Sequence, residues 1–211
     1  MKEYILHSTK INNLENILKD EFININPGKY NGILPDSHNQ IFTQLIYKDI
    51  QKEKTQIPSW FNCCFVLDKK ILKDYPFYAT CIGCFKDNFN DVLNDAFNDA
   101  FMNENIYAIG KGNLKKIPNL KNLKEKINNY MINNYMIDRY KIVKSLTYIH
   151  SHEILFNKKI SLIKYCKCII YPGIIPDNII KLASSLKIPI KSNITYKKTG
   201  LNNFIEFISE K

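Results

Sequence analysis

Arginine is almost absent from this chain. Arg139 is the sole guanidinium among 211 residues, although Lys and Arg together number 30 against 20 acids, giving a formal charge of +10. A guanidinium grips phosphate or guanine through two parallel hydrogen bonds, whereas an ammonium is a point charge. A surface that reads phosphates or bases with arginine forks is therefore excluded. Also missing is any run of eighteen or more apolar residues, and Met1-Lys2-Glu3-Tyr4 lacks the charged and then apolar layout of a secretory signal. The expectation is an intracellular protein with no membrane association. The glycine pair Gly110-Lys111-Gly112 lacks the other elements of a dinucleotide or P-loop fingerprint and reads as a turn.

The lysine excess favours acidic partners such as nucleic acid or nucleotides. An AT-rich coding sequence would produce the same wealth of Lys, Asn, Ile and Tyr, so charge alone assigns no partner. Six cysteines lie as Cys63-Cys64, Cys81-Ile82-Gly83-Cys84 and Cys166-Lys167-Cys168. Two close pairs have spacings from which zinc knuckles are built, but the flanking turn glycines and polar residues are mostly missing, and no metal is expected. Cys166 and Cys168 share one face of an apolar strand, the pattern of reduced thiols packed in a core.

At this length a single domain, residues 1–211, is expected, burying roughly 70% of its unfolded surface. Residues 3–9 read as a strand, followed by a helix from Asn12 to Phe22 with Asn12-x-x-Glu15 as a capping box. Asn24 to Asn39 reads as a long Pro/Gly/Asn loop, Gln40 to Tyr47 and Trp60 to Leu67 as strands, and Phe77 to Phe85 as extended chain. Helical periodicity recurs over Asn88–Asn103, with a solvated acidic stripe of Asp91, Asp95 and Asp99, and again over Leu120–Tyr135. Strands 153–156, 166–171 and 188–196 alternate with a helix opening at Pro176-Asp177, and a last helix starts at Leu201. The fold class is α+β.

Two segments carry chemistry. His7-Ser8-Thr9 stands where the first strand hands over to a helix, a junction whose backbone N–H groups and small hydroxyls suit a ribose or phosphate, although Ser8 and Thr9 equally suit local backbone. Glu153 heads the apolar strand Ile154-Leu155-Phe156. Burying an unpaired carboxylate costs several kcal/mol or raises its pKa, so Glu153 faces a cleft, meets a cation or ends a strand in water.

Together these residues resemble the ADP-ribosyltransferase superfamily, in its His-Tyr-Glu branch of poly(ADP-ribose) polymerases and DNA-modifying toxins. The resemblance rests on His7-Ser8-Thr9 with Asn13-Leu14-x-x-Ile17-Leu18, on Ile41-Phe42-Thr43 with Tyr47, and on Glu153-Ile154-Leu155-Phe156. The chain is also similar to uncharacterised proteins of large DNA viruses. The resemblance implies a split β-sheet core with peripheral helices, NAD as cofactor, and mono-ADP-ribosyl transfer to a nucleic acid or protein acceptor, in host cytoplasm or nucleus if viral. It implies Glu153 as the catalytic carboxylate, His7 on the adenosine ribose, Tyr47 on the nicotinamide face, and Ser8, Thr9 and Thr43 as supporting contacts. Tyr148, His150 and His152, just before the Glu, would touch the acceptor. Tyr30 and Tyr78 are alternatives to Tyr47. The related 2′-phosphotransferases rely on several arginines that this chain lacks. A catalytically silent binding module of the same fold, or a basic nucleic-acid-binding protein, are the competing readings, and oligomeric state is open.

Overall fold

The computed structural model describes residues 3–25, 40–47, 63–80, 106–109, 153–192 and 201–209. The expected helices 88–103 and 120–135, the Gly110–Gly112 turn, Cys81, Cys84, Tyr30, Tyr148, His150 and His152 lie outside these residues, as does almost all of the Asn24–Asn39 loop.

Alternating and continuous β-branched and aromatic runs build an eight-stranded sheet. Its strands are β1 (Glu3–Thr9), β3 (Ile41–Tyr47), β4 (Cys63–Asp68), β5 (Phe77–Thr80), β6 (Ile106–Ile109), β7 (Glu153–Phe156), β9 (Cys166–Tyr171) and β10 (Ile190–Ser192). Their order across the sheet is β10-β9-β4-β1-β3-β7-β5-β6. Every pairing is antiparallel except β9 with β10, which are joined through helix α4 (Asp177–Ser185) as a parallel crossover requires. A second, two-stranded sheet pairs β2 (Phe22–Ile23) with β8 (Ile160–Ser161). The α+β class is thus observed.

The strands at 153–156 and 166–171 fall where the apolar pattern put them. Helix α1 (Ile11–Asp20) begins one residue early. Its N-cap is Lys10, not Asn12, and no side chain caps it, because β1 runs directly into the helix and carries Asn12 into the first turn. Asn13 instead reaches back to Thr9 Oγ1 at 3.4 Å. Asp177 is the first-turn acid of α4, whose N-cap position is held by Pro176 with no side-chain cap. That helix closes on Lys187 in the left-handed region (φ 56°), with Ile188 N–H donating to Ala183 O and Lys187 N–H to Ser184 O. Helix α2 (Ile71–Asp74), helix α3 (Leu162–Tyr165) and a terminal helix α5 (Leu201–Ser209) complete the described chain.

One apolar cluster runs through the sheet and its helices, with Ile5, Leu14, Leu45, Phe65, Phe156, Leu162 and Ile169 fully enclosed. Tyr165 joins it edge-on to Tyr75, at 5.3 Å between ring centroids, while its hydroxyl donates to Asp74 at 2.8 Å. Here a large ring is buried and its polar tip satisfied. Cys63, Cys64 and Cys168 are buried free thiols and Cys166 is half-buried. Burial pushes Cys63 up to about 12 and Cys168 up to about 11, which suits inert core packing. No group of three or more His, Cys, Asp or Glu among the described residues could hold a metal ion. No described helix is long and apolar enough to cross a membrane.

Candidate functional site

The middle of the sheet contains a fork. The ladder between β1 and β3 runs from Glu3 opposite Tyr47 to Leu6 opposite Gln44 and stops there. Both strands continue. Beyond the stop, β1 remains paired with β4 from His7 opposite Phe65 to Thr9 opposite Cys63, and β3 remains paired with β7 from Thr43 opposite Ile154 to Ile41 opposite Phe156. Each strand keeps its outer neighbour and the two part from each other. The last common row is Leu6, Gln44 and Glu153, continuing to Thr80 on β5. Glu153, at the head of β7, therefore lies in the row at the vertex, and His7 and Thr43 are the first residues past it.

His7 bridges the opening. Its Nδ1 lies 2.9 Å from Phe42 O, and a carbonyl can only accept, so Nδ1 carries the proton and Nε2 is left as an acceptor. Burial lowers the imidazole pKa from its ordinary 6.5, and the bond to Phe42, which works in the opposite sense, does not offset this. His7 is neutral at pH 7. Its ring centroid lies 6.3 Å from that of Phe65. The neutral ring therefore offers a lone pair at Nε2 as a hydrogen-bond acceptor.

On the other tine, Thr43 is buried and its hydroxyl donates to Ile154 O at 2.6 Å, tying β3 to the residue after Glu153. The buried polar residues among those described are Thr9, Gln40, Thr43 and Gln44. All four belong to the two tines or the vertex, with Gln40 directly preceding β3. Polar side chains are otherwise kept out of the interior, so this is a polar island inside an apolar sheet.

Two buried side-chain polar atoms among the described residues have no hydrogen-bond partner, Ser8 Oγ and Gln40 Oε1, one on each tine. Ser8 is opposite Cys64 on β4. It lies near enough to favour the Cys64 thiolate slightly, but burial dominates and holds that thiol well above its usual range. The thiol itself is directed to Phe65 O at 3.6 Å, and Ser8 is left without a bond of normal geometry. An orphaned buried polar atom costs about 1–3 kcal/mol, and two of them flanking one opening match a place where a polar ligand supplies the missing partners.

The fork therefore brings together the backbone positions of His7, Ser8, Thr9, Thr43 and Glu153, with His7, Thr9 and Thr43 on one face of the sheet and Ser8 and the Gln44–Glu153 row on the other. Tyr47 is not among them. It pairs with Glu3, three residues past the vertex on the closed side of the ladder, about 10 Å along the strand. Tyr78 pairs with Leu155 on the far side of β7. The aromatic residue within the fork is Phe42, which is half-buried. Sequence reasoning did not single out Gln40, which stands beside Asn39 at the boundary between the polar loop and an apolar strand. No protein-family model, no curated protein and no solved structure matches this chain.

Proposed function

We propose that this chain has the split-sheet architecture of the ADP-ribosyltransferases and is an NAD-dependent mono-ADP-ribosyltransferase acting on a nucleic acid or protein acceptor, with NAD held in the fork. The observation that carries this reading is the fork itself. Residues separated by 36 and 110 positions along the chain, His7, Thr43 and Glu153, meet where β1 and β3 separate, beside two unpartnered buried polar atoms.

NAD would supply the ADP-ribosyl group, and the chain's own residues would hold and polarise it. Glu153, at the vertex, would supply a carboxylate to stabilise positive charge on a bound nicotinamide ribose and to accept a hydrogen bond from its hydroxyl. His7, with its Nδ1 proton committed to Phe42 O, would accept from the adenosine ribose hydroxyl through Nε2 and so help fix the ligand's position. Phe42 takes the place of Tyr47 as the ring against the nicotinamide face. Thr43 holds the start of β7 in position. The formal charge of +10 suits an anionic ligand and favours nucleic acid as acceptor.

The test is incubation of the protein with labelled NAD, following nicotinamide release and label on protein, DNA and RNA. Wild type is expected to release or transfer label, and Glu153→Gln to lose turnover by at least about a hundredfold while still binding NAD. One observation favours a second reading, a binding module of the same fold: the tyrosine of the implied trio lies outside the fork. That reading gives NAD binding without turnover in both proteins. If neither binds NAD, the basic surface becomes the place to look, with steeply salt-dependent nucleic acid binding that Glu153→Gln leaves unchanged.

A further inference from the structure

We infer that His7 is a strut that holds the β1–β3 fork open, and that withdrawing its imidazole lets the ladder zip onward and close the fork. The inference rests on strand register and one hydrogen bond, and it stands whether or not the fork takes NAD.

The β1–β3 ladder ends with Leu6 opposite Gln44, so the rows that would follow are His7 opposite Thr43 and Ser8 opposite Phe42. Neither row forms. Both strands nevertheless stay extended and keep their outer neighbours as far as Thr9 and Ile41. Successive residues of a strand direct their main-chain N–H and C=O to alternate neighbours. Phe42 O meets a β1 side chain, so the Phe42 main chain faces β1, and its carbonyl is the acceptor that the Ser8 N–H would use in a continued ladder. His7 takes that acceptor in place of Ser8. The side chain leaves β1 on the sheet face that carries Phe65 and Thr43, with its ring centroid 6.3 Å from that of Phe65. It ends with Nδ1 2.9 Å from an oxygen lying between the strands, where an aromatic ring keeps the Ser8 main chain from approaching. The row beyond the strut bears the mark of an unfinished pairing, since Ser8 Oγ is buried without a partner. A single bond from a neutral donor and the main-chain bonds of one more row are of comparable net worth. A fork propped by one such bond can therefore shut, and a ligand seated between its tines would oppose the closure.

The experiment is nuclear magnetic resonance on the full chain, reading amide exchange at Leu6 and Ser8 and the contact between the α-protons of residues 7 and 43, in wild type, His7→Val, His7→Ala and His7→Gln. By the same alternation, the Leu6 and Ser8 amides both face β3, one in the last formed row and one past it. In wild type, Ser8 should exchange about tenfold or more faster than Leu6, and the α-proton contact should be missing. His7→Val removes the donor and suits a strand; it should slow Ser8 exchange about fivefold or more and bring the α-protons into contact, as the close spacing of a non-hydrogen-bonded pair requires. His7→Ala makes the same prediction and serves if the valine variant does not fold. His7→Gln keeps a donor on a flexible side chain and should behave as wild type. Fast Ser8 exchange persisting in folded His7→Val or His7→Ala overturns the strut. Closure in His7→Gln overturns the hydrogen bond as its cause, and a protected Ser8 amide with the α-proton contact in wild type overturns the open fork itself.

Discussion

Thr43 offers the sharpest test of how the fork is held. Its hydroxyl is buried and donates to Ile154 O at 2.6 Å, a short bond between the strand that forms one tine and the strand that carries Glu153. Thr43→Val keeps the branched shape and removes the donor. A buried hydrogen bond contributes about 1 kcal/mol net, and an acceptor left partly unsatisfied raises the loss towards 2 kcal/mol, while the added methyl returns up to about 0.8 kcal/mol. The expected destabilisation is therefore about 0.5–1.5 kcal/mol, which for a chain of 211 residues is a fall in melting temperature of about 1–6 °C. Urea titration should show a lower midpoint with an unchanged slope, meaning that stability and not the extent of unfolding has changed. Because Thr→Val alters both polarity and packing, the difference between Thr43→Ser and Thr43→Ala, two variants without the methyl, isolates the hydroxyl and should be about 1–2 kcal/mol. If Thr43→Val is as stable as wild type and Thr43→Ser is no more stable than Thr43→Ala, the bond to Ile154 does not hold β7 and the account of the fork is wrong.

The remaining predictions follow from the same geometry. Because burial depresses the His7 pKa below 6.5, the unfolded chain takes up that proton first as pH falls; the stability it contributes is complete above about pH 6.5 and lost below, through the folded pKa. Wild type should lose stability on acidification below that point more steeply than His7→Gln, and parallel curves would refute the neutral imidazole. Cys63 and Cys168, pushed up to about 12 and about 11, should be alkylated at pH 8 at least about a hundredfold more slowly in the native protein than in denaturant, read peptide by peptide by mass spectrometry. Rapid native labelling of either would show that the β4–β9 face is open. On the proposed NAD reading, Glu153→Gln abolishes turnover and preserves NAD binding, and loss of both together would mean that Glu153 supports the fold instead of the reaction.

Much of the architecture was legible in the chain because it depends on local pattern. The short apolar runs at Ile154–Phe156 and Cys166–Tyr171 read as strands and are strands, and Leu14, Ile17 and Leu18 at helical spacing form one face of a helix. The capping box failed, since Asn12 competes with a strand that leads straight into the helix and leaves Lys10 at the cap. The segments carrying His7 and Glu153 stood out for the same local reason, polar side chains against apolar strands.

What the sequence determined by itself is thus the main strands β1, β3, β4, β7 and β9, the helices that follow β1 and open at Pro176-Asp177 and Leu201, the burial of Cys168, and the two polar segments that interrupt apolar ones. Only the tertiary structure decided that β1 and β3 pair as far as Leu6 and Gln44 and then part. Strand pairing is non-local: it depends on which neighbour each strand keeps, and a register is set by matching whole faces across the sheet. That choice puts Thr43 and Gln40 at the opening, draws Glu153 to its vertex and leaves Tyr47 on the closed side. The two unpartnered atoms, Ser8 Oγ and Gln40 Oε1, were invisible in the chain, because whether a polar atom is satisfied depends on every neighbour the fold brings to it.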